Sequence, residues 1–209
     1  MSMILNGFSV GAFDTNCYII GCEETKEGAV VDPGMDSKKI LKRIEESGLI
    51  IRKIILTHGH VDHIGALNEV QQATGAEVLI HAEDAGMLTD SRKNLSTYTG
   101  QGLDFKEADR LLQDGDKIQV GNIVLDVIHT PGHTKGGISL KGGPDVLITG
   151  DALFAGSIGR SDFPGGSHTQ LIASIKNRLL DFPPETKVYP GHGPASTIGR
   201  EKRYNPFLR

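Results

Sequence analysis

The chain contains no tryptophan and only two cysteines, and aromatic residues make up 5% of it. Two cysteines, Cys17 and Cys22, are too few for a disulfide scaffold, and they do not form a CxxC pair. They read as buried apolar side chains of a reducing compartment. No segment approaches the ~20 consecutive apolar residues that span a bilayer. The N-terminal residues Met1 to Gly7 lack both a basic stretch and a long apolar run, so no secretory signal is expected and the cytoplasm is the default location. Surplus basic charge is also missing. A formal net charge of -4 argues against a nucleic-acid partner.

What is present is one domain's worth of ordinary globular sequence. At 209 residues, with 38% hydrophobic and 23% charged content, the chain is long enough for one well-cored domain, expected over 1–209, and short for two. Glycine is abundant at 27 residues, which predicts many tight turns. Strands are expected over Phe8 to Phe13, Cys17 to Cys22 and Gly28 to Val31. A helix capped by Ser37 should bury Ile40, Leu41 and Ile44 and stop at Gly48. The strand Ile51–Leu56, a helix from Ile64 to Thr74 and the strand Ala76–His81 continue an α/β alternation. A short helix, Ala85–Leu88, leads into an irregular stretch over 89–110, read either as a loop over a site or as a surface excursion. Lys117 to His129 reads as a hairpin about Gly121-Asn122. Strands at 137–141, 145–149 and 186–190 surround a helix from Gln170 to Leu180.

The densest chemistry lies at residues 57–63, Thr-His-Gly-His-Val-Asp-His. Three imidazoles and one carboxylate fall within six residues, between a buried strand and a helix, where open α/β sheets place ligand sites. Such donors suit zinc, iron or manganese. Three further apolar strands end in donors of the same type: Pro131-Gly132-His133, Gly150-Asp151 and Gly191-His192. His58, His60, Asp62, His63, His133, Asp151 and His192 are seven donors. That exceeds the three protein ligands of one catalytic zinc and suits two ions sharing a carboxylate. The i, i+2 spacing lets His58 and His60 reach one ion, while Asp62 and His63 point to the other. His81 and His129 are assigned loop roles, and His168 is assigned to a helix start. Asp32 has two readings, a turn carboxylate or a group orienting a metal-bound imidazole.

These motifs, with Asn16-Cys17-Tyr18 and Val31-Asp32-Pro33-Gly34, resemble the HxHxDH–H–D–H signature of the metallo-β-lactamase-fold superfamily over almost the whole chain. Asp62 and Gly159 to Gly166 resemble both the hydroxyacylglutathione hydrolase (glyoxalase II) and the persulfide dioxygenase branches, and Tyr189 to Pro194 and Asn205-Pro206-Phe207 are most similar to small glyoxalase II-like (hydroxyacylglutathione hydrolase-like) hydrolases. The resemblance implies a four-layer αβ/βα sandwich. It places one ion on His58, His60 and His133, a second on Asp62, His63 and His192, and Asp151 between them, with Asp62 and Asp151 also catalytic. The implied cofactors are two divalent ions, zinc first, with iron or manganese as alternatives. The implied activity is hydrolysis of a small thioester such as S-lactoylglutathione. Full-length glyoxalase II continues past the position of His192 into a helical domain with basic residues that grip glutathione. This chain is expected to lack it, which leaves Arg160 as the candidate substrate contact, with the tail cations Arg200, Lys202 and Arg203 read as solvated. An iron-dependent persulfide dioxygenase using His58, His133 and Asp151 is the alternative activity. A non-catalytic metal-binding module ranks below both, because a closed structural site would need only about four donors.

Overall fold

A computed structural model describes residues 2–209, so Met1, at the head of the segment read as lacking a signal, lies outside it. Fourteen strands and six α-helices follow one another along the described chain. The first half contains β1 (Met3–Val10), β2 (Thr15–Cys22), β3 (Glu27–Val31), α1 (Ser37–Ser47), β4 (Ile50–Ile55), α2 (Val61–Ile64), α3 (Leu67–Thr74), β5 (Glu77–His81), α4 (Ala85–Leu88) and β6 (Arg110–Leu112). The second contains β7 (Lys117–Val120), β8 (Ile123–His129), β9 (Ile138–Gly142), β10 (Val146–Gly150), β11 (Leu153–Phe154), β12 (Ser157–Ile158), α5 (His168–Ser174), β13 (Lys187–Pro190), β14 (Ser196–Thr197) and α6 (Ile198–Tyr204).

Two six-stranded sheets form, in the orders β1-β2-β3-β4-β5-β6 and β14-β13-β10-β9-β8-β7. Their inner faces share one core, in which Val31, Ile55 and Leu79 of the first meet Val127, Leu140 and Ile148 of the second. The outer face of the first sheet packs Val30, Ile54 and Ile80 against Ile40 of α1 and Leu67 and Val70 of α3. The outer face of the second packs Leu147 and Val188 against Leu171 and Ile175, with Ile198 of α6. The expected four-layer αβ/βα sandwich is what these three cores build. The central strands are apolar on both faces because each sheet is covered on both sides. Each fully buried Leu or Ile contributes about 1.5–3 kcal/mol.

Several local expectations change. Asp36, not Ser37, occupies the cap of α1, in a left-handed conformation (φ 69°) and without a side-chain cap bond. The single helix expected from Ile64 to Thr74 is broken into α2 and α3. Its interruption follows from Ala66, whose N–H donates to the carbonyls of Pro33 and Gly34 instead of continuing a helical ladder. The β1 strand ends at Val10, and residues 11–14 turn. The helix expected to Leu180 is α-helical only to Ser174 and continues as a π-helical turn over Ile175–Leu179. The β6 strand, the β11–β12 hairpin, β14 and α6 carried no periodic signal long enough to read. Cys17 and Cys22 are buried and unpaired, as expected. Among the described residues, no helix is long and apolar enough to cross a membrane.

Candidate metal centre

The β4 strand buries Ile51, Ile54 and Ile55, with Arg52 and Lys53 between them, and delivers Thr57 and His58 buried just past its end. His60 is extended (φ -73°, ψ 145°), and the chain turns helical at Val61, which presents Asp62 and His63 from α2. The ends of β8, β10 and β13 lead to His133, Asp151 and His192. The two sheets meet here: the Asn16 N–H at the start of β2 donates to the Gly191 carbonyl at 2.7 Å, and Thr15 bridges to His192. The Asn16 side chain donates to the carbonyls of Pro190 and Gly193, and the Tyr18 hydroxyl to Pro190 at 2.6 Å. Gly191 is required by close approach, since a Cβ there would lie 2.1 Å from Asp151 Oδ1 and 2.8 Å from the His63 ring.

All seven candidate donors converge. The donor atoms of His58, His60 and His133 lie within 4.8 Å of one another, and so do those of Asp62, His63 and His192. Asp151 spans the groups, with Oδ1 3.3 Å from His63 Nε2 and Oδ2 3.6 Å from both His133 Nε2 and His192 Nε2. His60 Nδ1 is 2.9 Å from His133 Nε2, and His63 Nε2 is 3.3 Å from His192 Nε2.

Four of the rings have their second nitrogen fixed. His63 Nδ1–H donates to Asp32 Oδ2 at 2.9 Å, His133 Nδ1–H to the Arg160 carbonyl at 2.6 Å and His192 Nδ1–H to the Phe13 carbonyl at 3.0 Å. His58 Nδ1 lies 3.2 Å from Thr57 Oγ1, which itself donates to Asp32 Oδ2 at 2.6 Å. Each bond sets a tautomer whose Nε2 lone pair faces the cluster, the arrangement that outer groups impose on metal-binding imidazoles. Asp32 also accepts from the Thr57 N–H at 2.7 Å. Its buried oxygens are committed to these donors, so of its two readings the structure selects the orienting one.

Among the described residues three buried side-chain polar atoms have no hydrogen-bond partner, and two of them, His58 Nε2 and Asp151 Oδ1, belong to this cluster; the third is Thr186 Oγ1. Such orphans are costly unless an ion satisfies them. Electrostatics agree. Burial, reinforced by His133, pushes the His60 pKa down to about 3, and burial with His63 lowers His58, so both keep free lone pairs. Burial opposes protonation of His63, yet Asp151 and Asp62 outweigh it and raise its pKa. Burial likewise opposes ionisation of Asp151, and His63, His133 and His192 outweigh it and lower its pKa. The pocket therefore attracts positive charge at its centre. The donor set fits divalent cations.

A cavity of about 720 Å³ opens in front of the donors. His60, Asp62, His133, Asp151 and His192 lie on its floor, and Phe13, Leu95, Tyr98, Phe154, Ile158 and Phe163 form much of its wall. The stretch 89–110 is thus part of the wall. Asn94, buried within it, accepts from the Val61 N–H at 2.8 Å through its carbonyl and pins the stretch to the start of α2. Arg160 reaches the wall, but its guanidinium is held by Asp162 at 3.0 and 2.8 Å and lies 4.3 Å from the Phe163 ring centroid.

The three remaining histidines stay outside. His81 accepts from the Glu83 N–H at 3.3 Å and stacks on His129 at 4.1 Å, while His129 donates to the Lys135 carbonyl at 2.8 Å. His168 is the first residue of α5, whose cap is Ser167. Sequence reasoning missed Thr57, Asn94 and two buried carboxylates. Asp84, which burial pushes above the usual carboxylate range, accepts from Thr134 Oγ1 and the Gly136 N–H, both at 2.6 Å, and holds the His133 loop. Glu201 of α6 accepts from Ser196 Oγ, from the Gly156 N–H at 2.8 Å and from Asn205 Nδ2 at 2.9 Å, which anchors the β11–β12 hairpin. A carboxylate amid the mixed charges of 200–203 gave no sign of burial.

Residues 10–192 match the family model of the metallo-beta-lactamase superfamily. The chain is 39% identical over 202 residues to hydroxyacylglutathione hydrolase GloC of Haemophilus influenzae, covering 95% of each protein. The crystal structure of BLEG-1 B3 metallo-beta-lactamase superposes with a TM-score of 0.93 at 38% identity, over 98% of this chain and 99% of that one. The crystal structure of TTHA1623 in a di-iron-bound form superposes with a TM-score of 0.84 at 36% identity, over 97% of this chain and 100% of that one. By sequence match, by fold and by the way its strand ends gather histidine and aspartate at one sheet junction, the chain belongs to the metallo-beta-lactamase superfamily.

Proposed function

We propose that the chain hydrolyses a thioester at a centre of two divalent ions. The observation that carries the reading is the convergence of seven donors into two groups with Asp151 spanning them. In this reading His58, His60 and His133 would hold one ion and Asp62, His63 and His192 the other, with Asp151 lying between the two groups. Zinc is the first candidate; the di-iron form of a relative makes iron the second. Bound there, two divalent ions lower the pKa of water to about 7 and polarise a carbonyl oxygen.

The chain's own part is positional. Asp32, Thr57 and the carbonyls of Phe13 and Arg160 hold the imidazoles in one tautomer, so nothing reorganises as charge develops. Asp62 and Asp151 line the cavity floor, where they would orient the attacking water. The apolar walls keep bulk water away from it. In the reaction, water gives up a proton and its oxygen bonds to the carbonyl carbon, the carbon–sulfur bond breaks with its electron pair leaving on sulfur, and the carboxylic acid product releases the second proton. Thiols have pKa values near 8.5, so a thiolate departs without an acid. Apart from the candidate donors, the titratable side chains on the wall are Tyr98 and the Asp162-bound Arg160. That suits a thioester better than an amide, whose nitrogen must be protonated. The similarity to a protein named hydroxyacylglutathione hydrolase supports the same class.

The test is turnover of a thioester panel that includes S-lactoylglutathione, by protein loaded with two equivalents of zinc or iron. Cleavage is expected, with Asp151→Asn lowering kcat at least ~100-fold. Uptake of oxygen with glutathione persulfide, at one iron per chain, would assign the iron-dependent dioxygenase reaction instead. Absence of turnover on every thioester would overturn the reading.

A further inference from the structure

The wall of the cavity is apolar beyond what hydrolysis needs. Phe13 and Tyr98, 55% and 77% exposed, stand on it together with Leu95, Phe154 and Phe163. Single exposed aromatics are ordinary, but several on one cavity wall mark a binding face. The wall has one cationic side chain, Arg160, and Asp162 already binds it through two hydrogen bonds. Away from the donors on the floor, an anionic arm lying along this wall would therefore lose water and meet only a cation already paired with a carboxylate.

Leu95 sharpens the point. Its φ is 67°, a conformation that glycine adopts freely and a branched side chain resists. The neighbouring backbone holds it there. Asn94 accepts from the Val61 N–H through its carbonyl and from the Ser96 N–H at 2.9 Å through Oδ1, and donates to the Leu103 carbonyl at 2.9 Å. A strained position next to the candidate metal helix thus carries a leucine that lines the cavity. Strain of this kind gathers where a site needs it.

We propose that the substrate is a thioester with an uncharged apolar arm, aliphatic or aromatic and about the size of a hexanoyl or phenylacetyl group, seated against Leu95, Tyr98 and Phe154. The proposal rests on the thioester-hydrolase reading above. It places glutathione thioesters, which carry two carboxylates and an ammonium, among the poorer substrates.

The experiment compares kcat/KM for acetyl, butyryl and hexanoyl thioesters of N-acetylcysteamine and for S-lactoylglutathione, on zinc-loaded protein. A gain of up to about fourfold per methylene is expected, the factor that corresponds to burying one CH₂, and at least tenfold overall from acetyl to hexanoyl. Leu95→Gly relaxes the backbone and should fold; Tyr98→Ala changes an exposed side chain. Both should lower the hexanoyl-to-acetyl ratio at least threefold. A flat series, a preference for S-lactoylglutathione over the hexanoyl ester, or an unchanged ratio in both variants overturns the apolar arm and leaves thioester hydrolysis standing. No turnover on any thioester overturns both.

Discussion

Replacing Asp32 by asparagine tests how the centre is oriented. The substitution preserves shape, and asparagine tolerates the left-handed φ of 52° at this position, so the backbone stays where it is. What changes is one oxygen. Oδ1 accepts from the Thr57 N–H, and Oδ2 accepts from Thr57 Oγ1 and His63 Nδ1–H. An amide offers a single oxygen. If that oxygen faces the Thr57 N–H, the amide NH₂ meets His63 Nδ1, and the imidazole must carry its proton on Nε2, the nitrogen turned toward Asp62, Asp151 and His192. If the amide flips, its NH₂ meets a buried N–H donor, a conflict worth about 1–3 kcal/mol. The first outcome removes a lone pair from the second donor group. Loss of such an orienting partner lowers metal affinity about 10- to 100-fold, which is roughly 1.4–2.8 kcal/mol. Competition against a chromophoric chelator, titrating zinc into stripped protein, reads the two equivalents separately. The weakened equivalent should be the one assigned to Asp62, His63 and His192. Two equivalents bound by the variant within twofold of the wild-type affinities would refute the orienting role.

Two other perturbations probe the scaffold. Glu201→Ala leaves the Gly156 N–H and the Ser196 hydroxyl without their buried acceptor, so urea unfolding should show a loss of about 2–4 kcal/mol; a loss below ~0.5 kcal/mol would mean that α6 does not anchor the hairpin. Burial and the stacked His129 hold His81 below its ordinary pKa, so the folded chain takes up this proton less readily than the unfolded one. Stability from this source is present above pH ~6.5 and is lost as pH falls below it. His81→Gln should flatten the fall of the urea midpoint between about pH 7 and 5, and an unchanged slope would count against the assignment.

The donors were legible because short strands lead into four separate histidine or aspartate positions, and because glycine stands beside His58, His60, His133, Asp151 and His192. His63 and His192 could be paired only through the resemblance, since the sequence places them 129 residues apart. The orienting shell was less legible for a chemical reason. Two of its members are the carbonyls of Phe13 and Arg160, and a carbonyl belongs to every residue type. Asp32 carried two readings until its burial and its three donors were visible. The α2–α3 break depends on Pro33 and Gly34 carbonyls far from the helix in sequence. Glu201 shows the limit from the other side, since its surroundings in sequence are those of a solvated surface helix.

The stitch between the start of β2 and the His192 loop has a consequence for biosynthesis. His58, His60, Asp62 and His63 leave the ribosome long before His192, whose loop docks on Thr15 and Asn16 at the opposite end of the chain. Until that late docking the nascent chain offers six of the seven candidate donors without the seam that gathers them, and donors not yet gathered rank cations by intrinsic affinity, copper above zinc and zinc above iron. Closure of the seam replaces that ranking with geometry. A cation held by the closed seam would then be selected by the finished fold, after synthesis, and not by whichever cation the chain meets first.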